Sequence, residues 1–173
     1  MATTAQPVKN YSDSEIKEKV NQLLLDTGLD GVFPFPAERL ANMLGYSSHY
    51  FLPSEKTRSI SGAVEHNKNR ILINKMDPLA RQFFTLAHEI GHIVLHKNKG
   101  NKIDFRTSLT DTTDPVELEA NQFAAELLMP EEEFKKKWKE HKDLELVSAY
   151  FGVSIAAAKV RADKLNLKKG FFI

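Results

Sequence analysis

The stretch RQFFTLAHEIGHIVLH, residues Arg81–His96, places His88, Glu89 and His92 inside the most apolar run of the chain. Apolar side chains surround these three residues at nearly every angle of a helix, so the pattern predicts a buried helix. Buried polar groups need partners, because burial without a hydrogen bond or a paired charge costs several kcal/mol. A metal ion is one such partner, since two histidines four residues apart lie on one face of a helix.

The spacing His88-Glu89-x-x-His92 is the HExxH pattern of zinc peptidases. In such a site the two imidazoles hold zinc, and the glutamate takes a proton from the zinc-bound water. The five-residue pattern also occurs by chance, and the alternative is a helix face with two hydrogen-bonded histidines and a solvated glutamate. The apolar surroundings favour the metal site.

Catalytic zinc needs a third protein ligand and an open fourth position. His96 is the nearest candidate, but it lies about 12 Å from His88 along a straight helix and is therefore rejected. The helix predicted to open at Asp114-Pro115 offers Glu117, which falls within its apolar stripe. A carboxylate on that side needs a partner, so Glu117 is the predicted ligand. A capping role, with Asp114 as N-cap, is the competing interpretation.

Two further residues of this helix enter the predicted site. Glu119 falls just outside the apolar stripe, beside Glu126, and is the fallback ligand. Asn121, one turn after Glu117, is placed to hydrogen-bond a ligating histidine and hold its orientation.

Composition excludes several other classes of function. The chain has 173 residues, 42% hydrophobic residues, a net charge of +1 and no cysteine. Thiolate metal sites, thiol nucleophiles and disulfides are therefore excluded, and no strong charge favours nucleic acid. The N-terminal residues lack an apolar signal core, and no apolar run approaches a membrane-spanning length. We therefore expect a cytoplasmic protein without a membrane segment.

The predicted fold class is α+β. Short segments at 49–53, 59–66 and 69–75 predict a small antiparallel sheet of about three strands, packed on the HExxH helix and the glutamate-bearing helix. We expect residues 1–11 to be a disordered leader, 12–130 the metal-binding domain and 131–173 a helical C-terminal subdomain.

The C-terminal part has the form of a helix-turn-helix around Gly152–Ser154. Its second helix opens with Ile155 and three alanines rather than basic residues, which argues against direct DNA contact. Packing on the catalytic domain or docking of a protein partner is favoured instead. The role of the terminal GFFI, residues 170–173, stays open.

Two motifs together resemble a known family. FTLAHEIGHIVLH (84–96), then ELEANQFAAELLMP (117–130), with the strand NRILIN (69–74) before them, are similar to the ImmA/IrrE metallopeptidases, peptidase family M78. The resemblance implies a zincin-like minimal core in which His88, His92 and Glu117 bind one zinc ion, with another divalent metal such as Mn²⁺ open. It implies Glu89 as general base.

The resemblance also implies a role. Members of the family are cytoplasmic endopeptidases that cleave a helix-turn-helix repressor, typically an antirepressor function in mobile elements, prophages or stress regulons. Other relatives belong to toxin–antitoxin pairs. A protein substrate, most simply such a repressor, is therefore the expected partner. The alternatives are a non-proteolytic metal-binding regulator, a toxin–antitoxin component acting by protein binding, and a helix-turn-helix transcription factor.

An extended substrate would pair with the strand containing Ser61, Gly62 and Ala63. Gly62 either permits close approach of a peptide or marks a β-bulge. Tyr46, Tyr50 and His66 are candidates for stabilising the tetrahedral intermediate, although each fits an ordinary structural role.

Overall fold

The computed structural model describes residues 10–96 and 113–167. The predicted leader falls mainly outside these ranges, as does the terminal GFFI. The described elements, in chain order, are helices α1 (Asp13–Thr27) and α2 (Ala37–Met43), strands β1 (Ser47–Phe51), β2 (Gly62–Glu65) and β3 (Arg70–Asn74), and helices α3 (Leu79–Leu95), α4 (Pro115–Leu128), α5 (Glu131–His141), α6 (Leu144–Phe151) and α7 (Ile155–Lys164).

The three strands form one mixed sheet in the order β1-β3-β2. β2 and β3 form an antiparallel pair, with Ala63 opposite Leu72, whereas β1 runs parallel to β3, with His49 opposite Leu72. The α+β class is confirmed, but the prediction of a wholly antiparallel sheet is wrong. After β1 the chain crosses to the far edge of β3 before it turns back, so β1 and β3 are neighbours that point the same way.

Side-chain caps set the starts of four helices, among them α1, α4 and α7. Ser12 and Glu15 form a capping box at α1, in which Ser12 N–H donates to Glu15 Oε2 over 2.9 Å. The Asp114 carboxylate accepts from Val116 N–H over 3.0 Å at α4, with proline at the first helical position. Ser154 caps α7 in the same way. The Asp114 cap fixes where α4 begins and hence which of its side chains face α3.

Helix α3 lies between the sheet and α4, and its packing against α4 depends on Gly91. A Cβ atom at Gly91 would lie 3.2 Å from Phe123 Cβ and 3.3 Å from the Ala120 backbone, closer than nearly all such contacts. The hydrophobic core to which both helices contribute includes Ile71, Ile73, Ala87, Ile90, Phe123, Ala124 and Leu127. The absence of a side chain at Gly91 therefore brings the two site-bearing helices together.

The C-terminal helices join the same hydrophobic core, to which they contribute Phe134, Trp138, Val147, Phe151 and Ala158. Arg161 on α7 donates from Nε to the Met129 carbonyl over 3.0 Å and from its guanidinium to the Glu126 carboxylate. Both partners of that ion pair are buried, at 3% and 2% exposure. α7 is thus held against the end of α4, while a domain boundary at residue 130 stays a prediction.

Within residues 10–96 and 113–167, no helix combines the length and apolar character that crossing a bilayer would require.

Removal of the Arg161 charge tests this attachment. Arg161→Met leaves the buried Glu126 carboxylate without its ion-pair partner, so we expect a loss of about 3–5 kcal/mol in the free energy of unfolding by urea denaturation. Arg161→Met with Glu126→Leu removes both charges and recovers most of that loss. Lys136→Met, which breaks the exposed pair with Glu133, is the matched control and costs at most about 1 kcal/mol. Equal effects of the two single variants would contradict the assignment.

Candidate metal centre

Helix α3 brings the two histidines of the HExxH pattern to one side of the site. His88, Glu89 and His92 are buried, at 0%, 1% and 7% exposure. The Nε2 atoms of His88 and His92 face each other at 3.1 Å, with the rings tilted at 66°. The i, i+4 spacing thus directs both imidazoles to one point in the interior.

Glu117 approaches the same point from α4. Its Oε2 atom lies 3.5 Å from His88 Nε2, and ligand atoms of His88, His92 and Glu117 all lie within 4.8 Å of one another. The Glu117 side chain keeps 20% of its surface exposed, so the cluster is open towards solvent on this side. Asp114 supplies the N-cap of α4, and Glu117 faces the histidines.

The donor atoms present fit a divalent metal ion. The Asn121 amide oxygen lies 2.8 Å from His88 Nδ1, and an amide oxygen only accepts, so His88 carries its hydrogen on Nδ1 and its lone pair on Nε2. Ligand atoms around a tetrahedral zinc ion lie roughly 3.3–3.5 Å apart. The separations of 3.1 and 3.5 Å in this cluster are close to that spacing. Two imidazoles and one carboxylate form a ligand set found at catalytic zinc, and other divalent metals also accept it.

Glu89 lies beneath the first residue of β2. A Cβ atom at Gly62 would lie 3.1 Å from Glu89 Oε1 and 2.4 Å from Thr85 Cγ2. Gly62 pairs in register with Ile73, so the strand has no bulge at this position. Glycine at this position permits the close approach of α3 to the sheet. This role differs from both interpretations drawn from the sequence, close approach of a peptide and a β-bulge.

Strand β2 is an outer strand of the sheet. It pairs with β3, and no other strand pairs with it among the described residues. The Ser61 carbonyl accepts from Asn74 N–H over 2.8 Å, and the Ile60 carbonyl accepts from the Asn74 side chain over 2.9 Å. Gly62 is therefore held beside Glu89, and its neighbours Ser61 and Ala63 are buried, at 6% and 1% exposure.

The burial of the glutamates on α4 differs from the prediction. Glu119 and Glu126, placed outside the apolar stripe, are buried at 6% and 2% exposure, whereas Glu117 is partly exposed. The stripe identifies one buried face, but α4 packs against α3, α1 and α7 and is buried on several. Glu119 has its own partners, since it accepts from Tyr11 N–H over 2.9 Å and lies 2.8 Å from His96 Nε2.

The three candidates for stabilising the tetrahedral intermediate have other contacts. Tyr46 Oη lies 3.0 Å from His66 Nδ1. His66 follows β2 at the end opposite Gly62, roughly 13 Å along the chain. Tyr50 donates to Glu38, and burial together with that hydrogen bond raises the pKa of Tyr50 to about 12. Tyr50 lies on β1, two strands from Gly62. The geometry therefore favours structural roles for all three.

The sequence agrees with the geometry. The sequence model of the M78 peptidases, described as the IrrE N-terminal-like domain, matches residues 37–163. The chain belongs to the peptidase M78 family. That match includes both helices of the cluster and the whole sheet.

Two relatives and one solved structure resemble this M78 member. Metallopeptidase ImmA of Bacillus subtilis (strain 168) is 26% identical over 147 residues, which cover 83% of this chain and 81% of the relative. Uncharacterized immunity region protein 2 of Bacillus phage phi105 is 31% identical over 91 residues, 51% of this chain and 57% of the relative. A Mycobacterium tuberculosis transcriptional regulator has a similar fold, with a TM-score of 0.60 at 15% identity. The alignment covers 89% of this chain but only 47% of that structure.

Gly62→Ala tests the packing of β2 on Glu89. Because the new methyl group would meet Thr85 Cγ2, we expect a loss of about 1–3 kcal/mol in the free energy of unfolding. Thr85→Ser removes that methyl group, so the double variant should recover much of the loss. Urea unfolding followed by circular dichroism measures the free energy of unfolding of wild type, Gly62→Ala and the double variant. Equal stability of Gly62→Ala and wild type would contradict the close packing.

Proposed function

We propose that this chain is a zinc-dependent endopeptidase of the ImmA/IrrE type. The observation that carries the proposal is the convergence of His88 Nε2, His92 Nε2 and the Glu117 carboxylate on one point, with Glu89 next to the histidines on α3. Membership of the M78 family and the similarity to metallopeptidase ImmA support a metallopeptidase. Zinc, the endopeptidase reaction and the substrate are our own proposals.

The chain's own residues divide the chemistry among them. His88, His92 and Glu117 would hold the metal, and Asn121 would keep the His88 ring in its ligating orientation. Zinc, when bound, polarises the peptide carbonyl and makes water a stronger acid. Glu89 would take the proton from the attacking water and pass it to the leaving amine. Glu89 is buried, and its Oε1 atom lies beneath Gly62, the first residue of β2.

The substrate would bind as an extended peptide along the outer edge of β2. Gly62 lies beside Glu89, and β-strand addition places a peptide bond at a fixed position relative to the strand. We propose a cytoplasmic helix-turn-helix repressor as the substrate. Support comes from the family resemblance, and the name of the phage relative, an immunity region protein, agrees with it.

A purely structural metal site is the main alternative. Structural zinc is normally enclosed by four protein ligands, whereas this cluster has three among the described residues and is partly exposed at Glu117. A structural site also has no use for a buried carboxylate at Glu89. The enzyme therefore fits this arrangement better than a regulator that acts only by binding.

The ligand assignment can be tested by metal content. After loading with excess zinc and gel filtration, we expect about one zinc per chain in the wild type, measured by elemental analysis. Glu117→Ala should lose it, whereas Glu119→Ala should retain at least part of it, because Glu119 contacts His96 rather than the cluster. A folded wild-type protein that binds no zinc would refute the proposed function. Zinc that is retained in Glu117→Ala but fully lost in Glu119→Ala would reassign the third ligand.

Glu89→Gln tests the reaction. The amide cannot act as general base, so the rate of cleavage of the repressor encoded nearest to the gene should fall by about 10²- to 10⁴-fold. Gel electrophoresis and mass spectrometry measure this cleavage. Zinc content should stay at the wild-type value. Glu145→Gln, a solvent-exposed glutamate on α6, is the control and should cleave normally. Undiminished cleavage by Glu89→Gln would exclude it as the base.

A further inference from the structure

A third histidine of α3 extends the candidate metal centre into the protein interior. His96 follows His92 by one turn, and the two Nδ1 atoms lie 3.1 Å apart. His96 Nε2 lies 2.8 Å from Glu119 Oε2. The other carboxylate oxygen, Glu119 Oε1, accepts from Tyr11 N–H over 2.9 Å. A continuous row of contacts thus runs from His92 to the backbone just before α1.

The donors and acceptors in this row can be assigned from its outer end. A backbone N–H only donates, and a carboxylate only accepts, so Glu119 accepts at Oε1 from Tyr11 and at Oε2 from His96 Nε2–H. His96 in this tautomer presents a lone pair at Nδ1. It therefore accepts from His92 Nδ1–H, which leaves the lone pair of His92 at Nε2. His88 Nε2, 3.1 Å away, carries a lone pair as well, so these two nitrogens do not hydrogen-bond to each other and would both face a metal ion held between them.

The same row explains why two polar residues are buried outside the ligand cluster. His96 and Glu119 are 8% and 6% exposed, at a cost that their mutual hydrogen bond offsets. Neither belongs to the His88–His92–Glu117 cluster. Asn121 holds His88 directly, whereas His92 has its contact to α4 through His96. α4 therefore orients both histidines, one by a direct bond and one through an intermediate.

We propose that His96 and Glu119 are positioning residues that fix His92 in its metal-ligating tautomer, with Tyr11 N–H anchoring the outer end. The inference rests on the proposed metal site at His88, His92 and Glu117. It gives Glu119 a function other than the direct ligation that the sequence left open. It also links the backbone just before α1 to the metal centre through a row of three hydrogen bonds.

Two substitutions separate positioning from general stability. In Glu119→Gln the amide oxygen stays with Tyr11 N–H, so the NH₂ group faces His96 Nε2 and the donors reverse along the row. A hydrogen would then occupy His92 Nε2. We expect Zn²⁺ affinity, measured by competition with a chromophoric chelator, to fall about 10- to 100-fold. His96→Phe, which offers no acceptor to His92, should lose a similar factor.

Conservative rescue and a matched control complete the design. His96→Asn places an amide oxygen near the position of Nδ1, so it should bind Zn²⁺ within about threefold of wild type. Glu126→Gln alters another buried carboxylate of α4, one that pairs with Arg161, and should leave Zn²⁺ affinity unchanged even if it lowers stability.

The outcomes distinguish this inference from the proposed function. Absence of Zn²⁺ binding by the wild type, or binding unaffected by His92→Ala, would refute the proposed function and this inference with it. Binding that depends on His92 but is equally tight in Glu119→Gln and His96→Phe would overturn the positioning role alone. So would an equal loss of affinity in Glu126→Gln, since the effect would then follow stability.

Discussion

Close packing of α3 on two sides, made possible by two glycines, is the constraint on which the site depends. Gly91 lets the helix approach Phe123 on α4, and Gly62 lets β2 approach Glu89. Core side chains are packed at near-crystalline density, so even one added methyl group must displace a neighbour. The helix can therefore neither rotate nor shift without a clash, and the directions of His88 and His92 follow from its position.

Such packing requires that polar groups in the interior have partners. Most of them on α3 and α4 meet each other or a neighbouring helix, as His96 meets Glu119 and Glu126 meets Arg161. An uncompensated charge at these depths would cost several kcal/mol, a large fraction of the stability of a domain this size. The position of α4 is thus set by specific pairs as well as by apolar area. That specificity places Glu117 within reach of the histidines.

The sequence predicted the local features well because local physical rules determine them. The i, i+4 histidines and the Asp114 cap depend only on nearby residues, and both are as expected. The direction of β1 and the burial of Glu119 depend on distant parts of the chain. A hydrophobic stripe reports one packed face, and it cannot show that Tyr11 supplies a partner to a glutamate 108 residues away. Three histidines spaced by four are the sequence signal for a row on α3, and the distance that excludes His96 as a ligand does not exclude its contact with His92.

The contact between Glu119 and His96 changes how a mutation at Glu119 is interpreted. A ligand and a residue that orients a ligand both lower metal affinity when they are removed, so loss of zinc alone does not separate them. The structure separates the two roles, because Glu119 contacts Nε2 of His96 and the other nitrogen of that ring contacts His92. A ligand must present a lone pair to the metal. Glu119, as an orienting residue, must instead accept a hydrogen bond from His96. Substitutions that preserve one requirement and remove the other therefore distinguish the two roles where deletion cannot.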